Sequence, residues 1–135
     1  MDTLSLIVVA ILIVAIWKLS RPPVRLVRPQ DVYVIDGDTI TIPAGSDKRE
    51  HVRISNIDAP EIRGFKSLWQ QKRGIAARDE VRFLIETAEI VEIRSQWSSD
   101  PFGRTLARVS VLTDRRQIDV GRHLVKNGLA RAWSR

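Results

Sequence analysis

The sequence predicts an α+β fold: a five-stranded barrel of the OB type with two short helices, preceded by an N-terminal transmembrane helix. Three observations support this prediction: an unbroken apolar run near the N-terminus, five short strand-like segments, and two helical segments, one with apolar periodicity and one bounded by capping residues. The chain of 135 residues is long enough for one domain with a modest core.

The apolar run LSLIVVAILIVAIW occupies residues 4–17, carries no charge and is apolar on every side. A helix of a soluble core normally has one polar face, so this pattern favours a membrane anchor over residues 1–19. A bilayer span needs about 20 residues, and Trp17 and Lys18 can extend the run into the interface. A cleaved signal peptide and a buried helix are the alternatives, although the N-terminus MDT lacks the basic residues of a signal peptide.

The charges beside the apolar run predict an orientation in the membrane. One acidic residue, Asp2, precedes the run. Four basic residues follow it: Lys18, Arg21, Arg25 and Arg28. The positive-inside rule then places the C-terminal domain in the cytoplasm, with export as the alternative. Residues 20–31 are predicted to form a basic, proline-containing linker and the start of the first strand, and residues 32–135 the functional domain.

The domain is predicted to contain five strands and two helices. The strand-like segments are rich in β-branched residues or alternate apolar with polar residues. They lie around Val32 and Val34 and at residues 39–42, 51–57, 89–94 and 104–112. Residues 74–88 place apolar side chains on one helical face. A second, short helix is predicted to begin after Asp119, which can cap it, and to end before Gly128.

The composition limits the available chemistry. The sequence contains no cysteine and only two histidines, His51 and His123, which are far apart. Disulfides, thiolate metal sites and a structural zinc site are therefore not expected, and any bound metal would be a hard cation with oxygen ligands. The net charge of +6 indicates an anionic partner, either nucleic acid or an acidic lipid surface.

Two acidic motifs contrast with the basic character of the chain. In VIDGDTI, residues 34–40, Asp36 and Asp38 flank a glycine, and IDAPE carries Asp58 and Glu61. Each motif also has a purely structural interpretation, a hairpin turn for the first and a helix N-terminus for the second. If the second and third strands are neighbours, Asp38 and Asp58 can approach one point, as the binding of a hard cation requires.

Two arginines lie close to these motifs in the sequence. Arg53 precedes IDAPE on the same strand, and Arg104 ends the turn motif DPFGR. Hydrolysis of a phosphodiester needs a cation that polarises the phosphoryl group, a base for the attacking water, and positive charge that holds the phosphate. Carboxylates and arginines together match these needs, although each arginine alone has a simpler interpretation as a surface residue.

Four motifs in this order resemble the staphylococcal nuclease (thermonuclease) family: VIDGDTI, VRISNIDAPE, DPFGR and HLVKNGLA. The resemblance spans residues 32–132, and the ordered combination is far more specific than any single motif. It implies an OB-fold core with helices and an enzyme that hydrolyses DNA and RNA with calcium. It also implies that Asp38 and Asp58 are carboxylate ligands of calcium and that Ala59 contributes its backbone carbonyl.

The resemblance implies roles for three further residues. Glu61 matches the residue proposed as the general base, or as the group that orients the attacking water. Arg53 and Arg104 match the pair that contacts the scissile phosphate. The aromatic positions differ, since Phe102 stands where the best-known member of the family has a tyrosine. Three tryptophans are interpreted as packing residues rather than as a base-stacking platform: Trp69, Trp97 and Trp133.

The combined prediction is a membrane-tethered, calcium-dependent nuclease that hydrolyses DNA and RNA with little sequence preference, and no protein partner is predicted. One alternative is a non-catalytic, membrane-tethered OB-fold module that binds nucleic acid. This alternative is disfavoured because all five side chains of the implied site are present. Another alternative is a tethered adaptor whose basic surface binds anionic lipid, a role that needs no converging carboxylates.

Overall fold

The chain begins with a helix, α1 (Thr3–Leu19), in which no residue is buried. The computed structural model describes three stretches of the chain: residues 1–20, 23–64 and 66–133. Asp2 caps α1, since its side chain accepts a hydrogen bond of 2.8 Å from the backbone N–H of Ser5. Arg21 and Pro22 of the predicted linker lie outside the described residues.

The prediction of a transmembrane helix is wrong. Among the described residues, no helix is both long enough and apolar enough to cross a bilayer. The 17 residues of α1 extend over about 25 Å, which is less than the ~30 Å of a hydrocarbon core. The single-pass anchor over residues 1–19, the membrane localisation and the membrane as a partner, all predicted from the apolar run, are therefore not supported.

Nine strands form two sheets in the described part of the chain. They are β1 (Val24–Val27), β2 (Tyr33–Asp36), β3 (Thr39–Pro43), β4 (Arg49–Ile54), β5 (Ile57–Asp58), β6 (Ile90–Ser99), β7 (Thr105–Thr113), β8 (Arg116–Asp119) and β9 (Arg131–Ala132). The larger sheet has the order β1–β6–β7–β4–β3–β2, with β8 paired to β7 beside this path. The pair of β4 and β7 is parallel, and the other pairs of this sheet are antiparallel.

The larger sheet is open rather than a closed barrel. Over the described residues, β1 and β2 lie at opposite ends of the strand order and do not pair with each other. β1 and β8 extend the sheet beyond the five predicted strands. The prediction of a closed five-stranded OB barrel is therefore wrong, although the α+β class and the two helices predicted for the domain are present. Residue alternation identifies strands, but closure depends on the tilt and stagger of the whole sheet, which alternation does not encode.

The longest helix, α2 (Leu68–Glu86), packs against the apolar face of the sheet. Its N-cap is Ser67, whose hydroxyl accepts a hydrogen bond of 3.2 Å from the backbone N–H of Gln70. Five residues of α2 are buried: Gly74, Ala77, Val81, Leu84 and Ile85. Three of them join the core formed by the strands. The helix begins at Leu68, before the predicted residue 74. Residues 70–73 are all polar, so no apolar periodicity in this stretch indicated the earlier start.

The last helix, α3 (Val120–Lys126), and the small second sheet hold the end of the domain together. Asp119 caps α3 as predicted, since its side chain accepts a hydrogen bond of 2.9 Å from the backbone N–H of Arg122. Gly128 follows the helix with φ of 70°, a left-handed conformation that favours glycine. β9 then pairs antiparallel with β5, so the C-terminal segment lies beside Asp58.

Candidate active site

The turn between β2 and β3 places two aspartates beside α2. The side chain of Asp36 accepts a hydrogen bond of 3.1 Å from the backbone N–H of Asp38, as in an Asx-turn. Between them lies Gly37, where an added Cβ would come within 2.7 Å of the Cβ of Ala77 and 2.8 Å of the Cβ of Ala59. Glycine is therefore needed here because the turn packs tightly against its neighbours.

Asp38 connects the two acidic motifs. It is 8% exposed, and its Oδ2 accepts a hydrogen bond of 2.9 Å from the backbone N–H of Ala59. Its Oδ1 accepts one of 3.1 Å from the hydroxyl of Thr39. Burial raises the pKa of Asp38 to about 6, although the charge of Arg53 and the hydrogen bond from Ala59 oppose this shift. The β2–β3 turn and the end of β5 therefore meet at one buried carboxylate.

Arg53, on β4, contacts the carboxylates of both motifs. Its Nη1 donates hydrogen bonds to the carbonyls of Ile54 and Ile57, the latter at 2.8 Å. Its Nη2 lies 3.3 Å from Oδ2 of Asp38 and 3.6 Å from Oδ1 of Asp58. The Arg53 side chain is only 15% exposed, so water screens these charges weakly. The carbonyl contacts fix the guanidinium, and both carboxylates lie around one of its nitrogens.

Arg104 is held by a carboxylate that was not predicted from the sequence. Asp100 is buried, and its Oδ1 accepts hydrogen bonds from the backbone N–H groups of Phe102 at 3.0 Å and Arg104 at 2.8 Å. Its Oδ2 accepts a further bond from Nε of Arg104. Burial raises the pKa of Asp100, but the hydrogen bonds and charge of Arg104 outweigh this effect and lower it. Asp100 is the first residue of the motif DPFGR, and its place in that turn was the sequence feature that could have identified it as the partner of Arg104.

The six residues predicted for the site line one cleft of about 720 Å³. Its walls come from the β2–β3 turn, β4, the segment after β5 and one face of α2. Thirteen residues line it: Tyr33, Ile35, Asp36, Asp38, Arg53, Asp58, Ala59, Glu61, Ile62, Arg63, Arg78, Arg82 and Arg104. Glu61 is exposed, whereas Asp38 is buried. The structure brings these side chains together, and the role of each stays a prediction.

Three further arginines, which were not predicted from the sequence, also line the cleft: Arg63, Arg78 and Arg82. Arg78 and Arg82 are four residues apart on α2 and therefore share one face. Asp79 lies 3.0 Å from Nη2 of Arg78 and 3.8 Å from Nη1 of Arg82. The carbonyl of Val34 accepts a hydrogen bond of 3.4 Å from Arg82. The four-residue spacing of Arg78 and Arg82 indicates that they share a helical face, but the sequence does not indicate which element that polar face would contact.

The donor atoms of the cleft fit a hard cation in their chemistry. Asp38 and Asp58 offer carboxylate oxygens and Ala59 a backbone carbonyl, and calcium binds such oxygen donors. Both carboxylates already have cationic neighbours, since Arg53 contacts both and Nη2 of Arg131 lies 3.1 Å from Oδ2 of Asp58. Among the residues that the structure describes, no group of three or more His, Cys, Asp or Glu side chains is arranged to hold a metal ion.

Several aromatic side chains near the cleft are exposed. Trp69 is 65% and Trp133 is 50% exposed, so their interpretation as packing residues is wrong. The side chain of Trp97 lies outside the described part of the structure. Phe102 is also exposed, and the guanidinium of Arg104 lies 5.6 Å from the centroid of its ring.

A family model described as staphylococcal nuclease homologue matches residues 51–135, more than half of the chain. The match confirms the family that the ordered motifs indicated. It includes Asp58, Glu61 and both arginines of the predicted site. Asp38 precedes the matched region, and its hydrogen bond to Ala59 ties it to that region. A search of curated proteins found no match.

Proposed function

Because the chain belongs to the family of staphylococcal nuclease homologues, we propose that it is a calcium-dependent nuclease that hydrolyses DNA and RNA with little sequence preference. The observation that carries this proposal is the meeting of the three predicted carboxylates and the two predicted arginines around one cleft. We propose residues 32–135 as the nuclease domain. The pairing of β1 (Val24–Val27) with β6 supports including that strand in the same folded unit.

Asp38, Asp58 and the carbonyl of Ala59 would hold the calcium ion. When bound, calcium supplies Lewis-acid polarisation of a phosphoryl oxygen. Nη2 of Arg53 lies within 3.6 Å of an oxygen of each carboxylate, so calcium binding would replace part of these contacts. The backbone N–H of Ala59 donates a hydrogen bond of 2.9 Å to the buried carboxylate of Asp38, which holds the two acidic motifs next to each other.

Arg53 and Arg104 would hold the scissile phosphate. Each guanidinium lines the cleft and is fixed by protein oxygens, the carbonyl of Ile57 for Arg53 and the carboxylate of Asp100 for Arg104. A planar guanidinium fixed in this way can still donate hydrogen bonds to phosphoryl oxygens. Its charge then stabilises the negative charge that develops on those oxygens in the transition state.

Glu61 would orient the attacking water and accept its proton. Its exposed position gives water free access, and a carboxylate is a suitable hydrogen-bond acceptor for this step. The chain turns shortly after it at Gly64, whose φ of 71° is a left-handed conformation that favours glycine.

The competing hypothesis is a non-catalytic module that binds nucleic acid. One observation favours it: Arg53 and Arg131 pair with the same carboxylates that a calcium ion would need. In such a module, the arginines would neutralise Asp38 and Asp58 permanently. The remaining positive charge of the cleft would then bind phosphates without hydrolysing them.

Cleavage assays with the full chain distinguish the two hypotheses. Single-stranded DNA, duplex DNA and RNA should each be cleaved in millimolar calcium and left intact in chelator. Glu61→Gln and Arg104→Ala should abolish most of this cleavage. The matched controls Glu86→Gln and Arg122→Ala, at exposed positions of α2 and α3, should retain it. Binding without cleavage in calcium would overturn the nuclease and support the binding module.

A further inference from the structure

A second groove, of about 500 Å³, adjoins the proposed catalytic cleft. Its walls come from the segment after β5, the first two turns of α2 and the chain beside β9. Asp58, Ala59 and Glu61 line both the groove and the cleft. A ligand strand that occupies the cleft can therefore continue into the groove over a shared wall.

An exposed tryptophan of α2 lines this groove. Trp69 lies in the first turn of α2 and is 65% exposed, which is unusual for so large an apolar ring. The guanidinium of Arg73, one turn further along, lies 4.8 Å from the centroid of its ring. Arg73 is itself fixed, because its Nη2 donates a hydrogen bond of 2.7 Å to the carbonyl of Gly128. One face of the indole is thus backed by an anchored cation, and the ring stays largely open to solvent.

The groove also carries several positive charges. Lys66, Arg73 and Arg131 line it, and the side chain of Arg131 is 85% exposed. The acidic residues Asp58 and Glu61 lie at the wall shared with the cleft. An open aromatic ring with several cations around it matches the composition of sites for single-stranded nucleic acid, where bases stack on aromatic rings and phosphates contact Lys or Arg.

We propose that this groove binds the nucleotide next to the scissile phosphate, with its base stacked on Trp69 and its phosphate contacted by Lys66 or Arg131. The inference rests on the proposed function for the position of the scissile bond. It goes further by assigning a single-stranded subsite on α2, outside the set of residues placed at the reacting phosphate. Duplex DNA would fill the subsite only after local strand separation, so single strands should be the preferred substrates.

A binding assay that excludes cleavage tests the subsite. The full chain is titrated with a short, fluorescently labelled single-stranded oligonucleotide in chelator, and the dissociation constant is measured by anisotropy. Trp69→Ala should weaken binding by about tenfold, and Trp69→Phe should restore most of the affinity because phenylalanine still stacks. Phe83→Ala, which removes another exposed aromatic ring from α2, is the matched control and should bind like the wild type.

The outcomes separate this inference from the proposed function. If Trp69→Ala binds as tightly as the wild type, or if Trp69→Phe binds as weakly as Trp69→Ala, base stacking at Trp69 is wrong even if calcium-dependent cleavage is found. If no cleavage is found but binding depends on the ring at position 69, base stacking in the groove stands and the nuclease fails. Absence of binding by the wild type would overturn the subsite. Circular dichroism of each variant identifies loss of folding.

Discussion

The two sides of the cleft differ in how firmly their side chains are held. On the sheet side, Asp38 and Arg53 are mostly buried and contact several partners each. On the loop side, Glu61 is exposed to solvent. Folding assembles a buried network, so changes on the sheet side should affect stability and function together. An exposed side chain on the loop side should be replaceable with an effect on function alone.

The largest expected effect is on the loop side. Glu61→Gln removes the group proposed to accept a proton from water, and we expect cleavage of single-stranded DNA to fall by about 10²–10⁴-fold. The free energy of unfolding should change by less than about 0.5 kcal/mol, because the side chain is exposed. Initial rates in calcium and urea unfolding give the two values. A large loss of stability would break the contrast between the two sides.

The next effect concerns the sheet side. Arg53→Ala removes the cation that contacts Asp38 and Asp58 and also the donor to two backbone carbonyls. We expect the free energy of unfolding to fall by about 3 kcal/mol, because a buried carboxylate loses its partner. Arg28→Ala, which breaks a more exposed ion pair with Asp31, should cost less than about 1 kcal/mol. Equal losses for the two variants would contradict a special role for the buried pair.

A smaller effect is expected at the turn that supports Asp38. Gly37→Ala adds a Cβ within 2.8 Å of the side chains of Ala59 and Ala77, so the turn must shift away from α2. We expect a loss of about 2 kcal/mol in thermal or urea unfolding. Activity should fall as well, since the shift moves Asp38. An alanine variant as stable as the wild type would show that the turn has more room than the structure indicates.

The smallest effect is a dependence of stability on pH. The pKa of Asp38 is about 6 in the folded chain against an ordinary 3.8. At pH values between these two pKa values, the folded state binds more protons than the unfolded state. The free energy of unfolding therefore falls as pH rises and Asp38 ionises, and it increases as pH falls and Asp38 becomes protonated. Between about pH 8 and about pH 5, the wild type should gain about 1 kcal/mol relative to Asp38→Asn.

Urea unfolding of the wild type and of Asp38→Asn, both in chelator, measures this difference. Chelator is needed because a bound cation would compete with the proton at Asp38. If the free energies of unfolding of the wild type and Asp38→Asn differ by the same amount at every pH, the Asp38 carboxylate is better solvated than its burial indicates.

The sequence predicted which residues would come together around one cleft better than it predicted how the sheet would close. The proposed site residues lie in short sequence motifs that can be identified by their order. Hydrogen bonds such as that from the backbone N–H of Ala59 to Asp38 bring these motifs together. The open sheet was not predictable, because strand patterns do not encode which edges remain unpaired. The apolar run of residues 4–17 also misled, because its lack of charge suggested a membrane span for a helix of only 17 residues.

Residues that support the site from neighbouring elements were harder to predict. Arg78 and Arg82 lie on the polar face of α2, and only the packing of that helix against β2 directs them to the cleft. Asp100 belongs to a recognised turn motif, but its bonds to Arg104 depend on the conformation of that turn. Trp69 was interpreted as a packing residue because large aromatic side chains are usually buried, and the structure places it at the surface instead.

Calorimetric titration of calcium into the full chain tests most directly whether the sheet side of the cleft holds a cation. Asp38→Asn and Asp58→Asn are compared with the wild type and with Asp47→Asn, a control in an exposed loop. We predict saturable binding by the wild type and the control, and loss of binding in the other two variants, because each lacks a carboxylate ligand. No binding by the wild type, or undiminished binding by Asp38→Asn, would contradict the proposed calcium site.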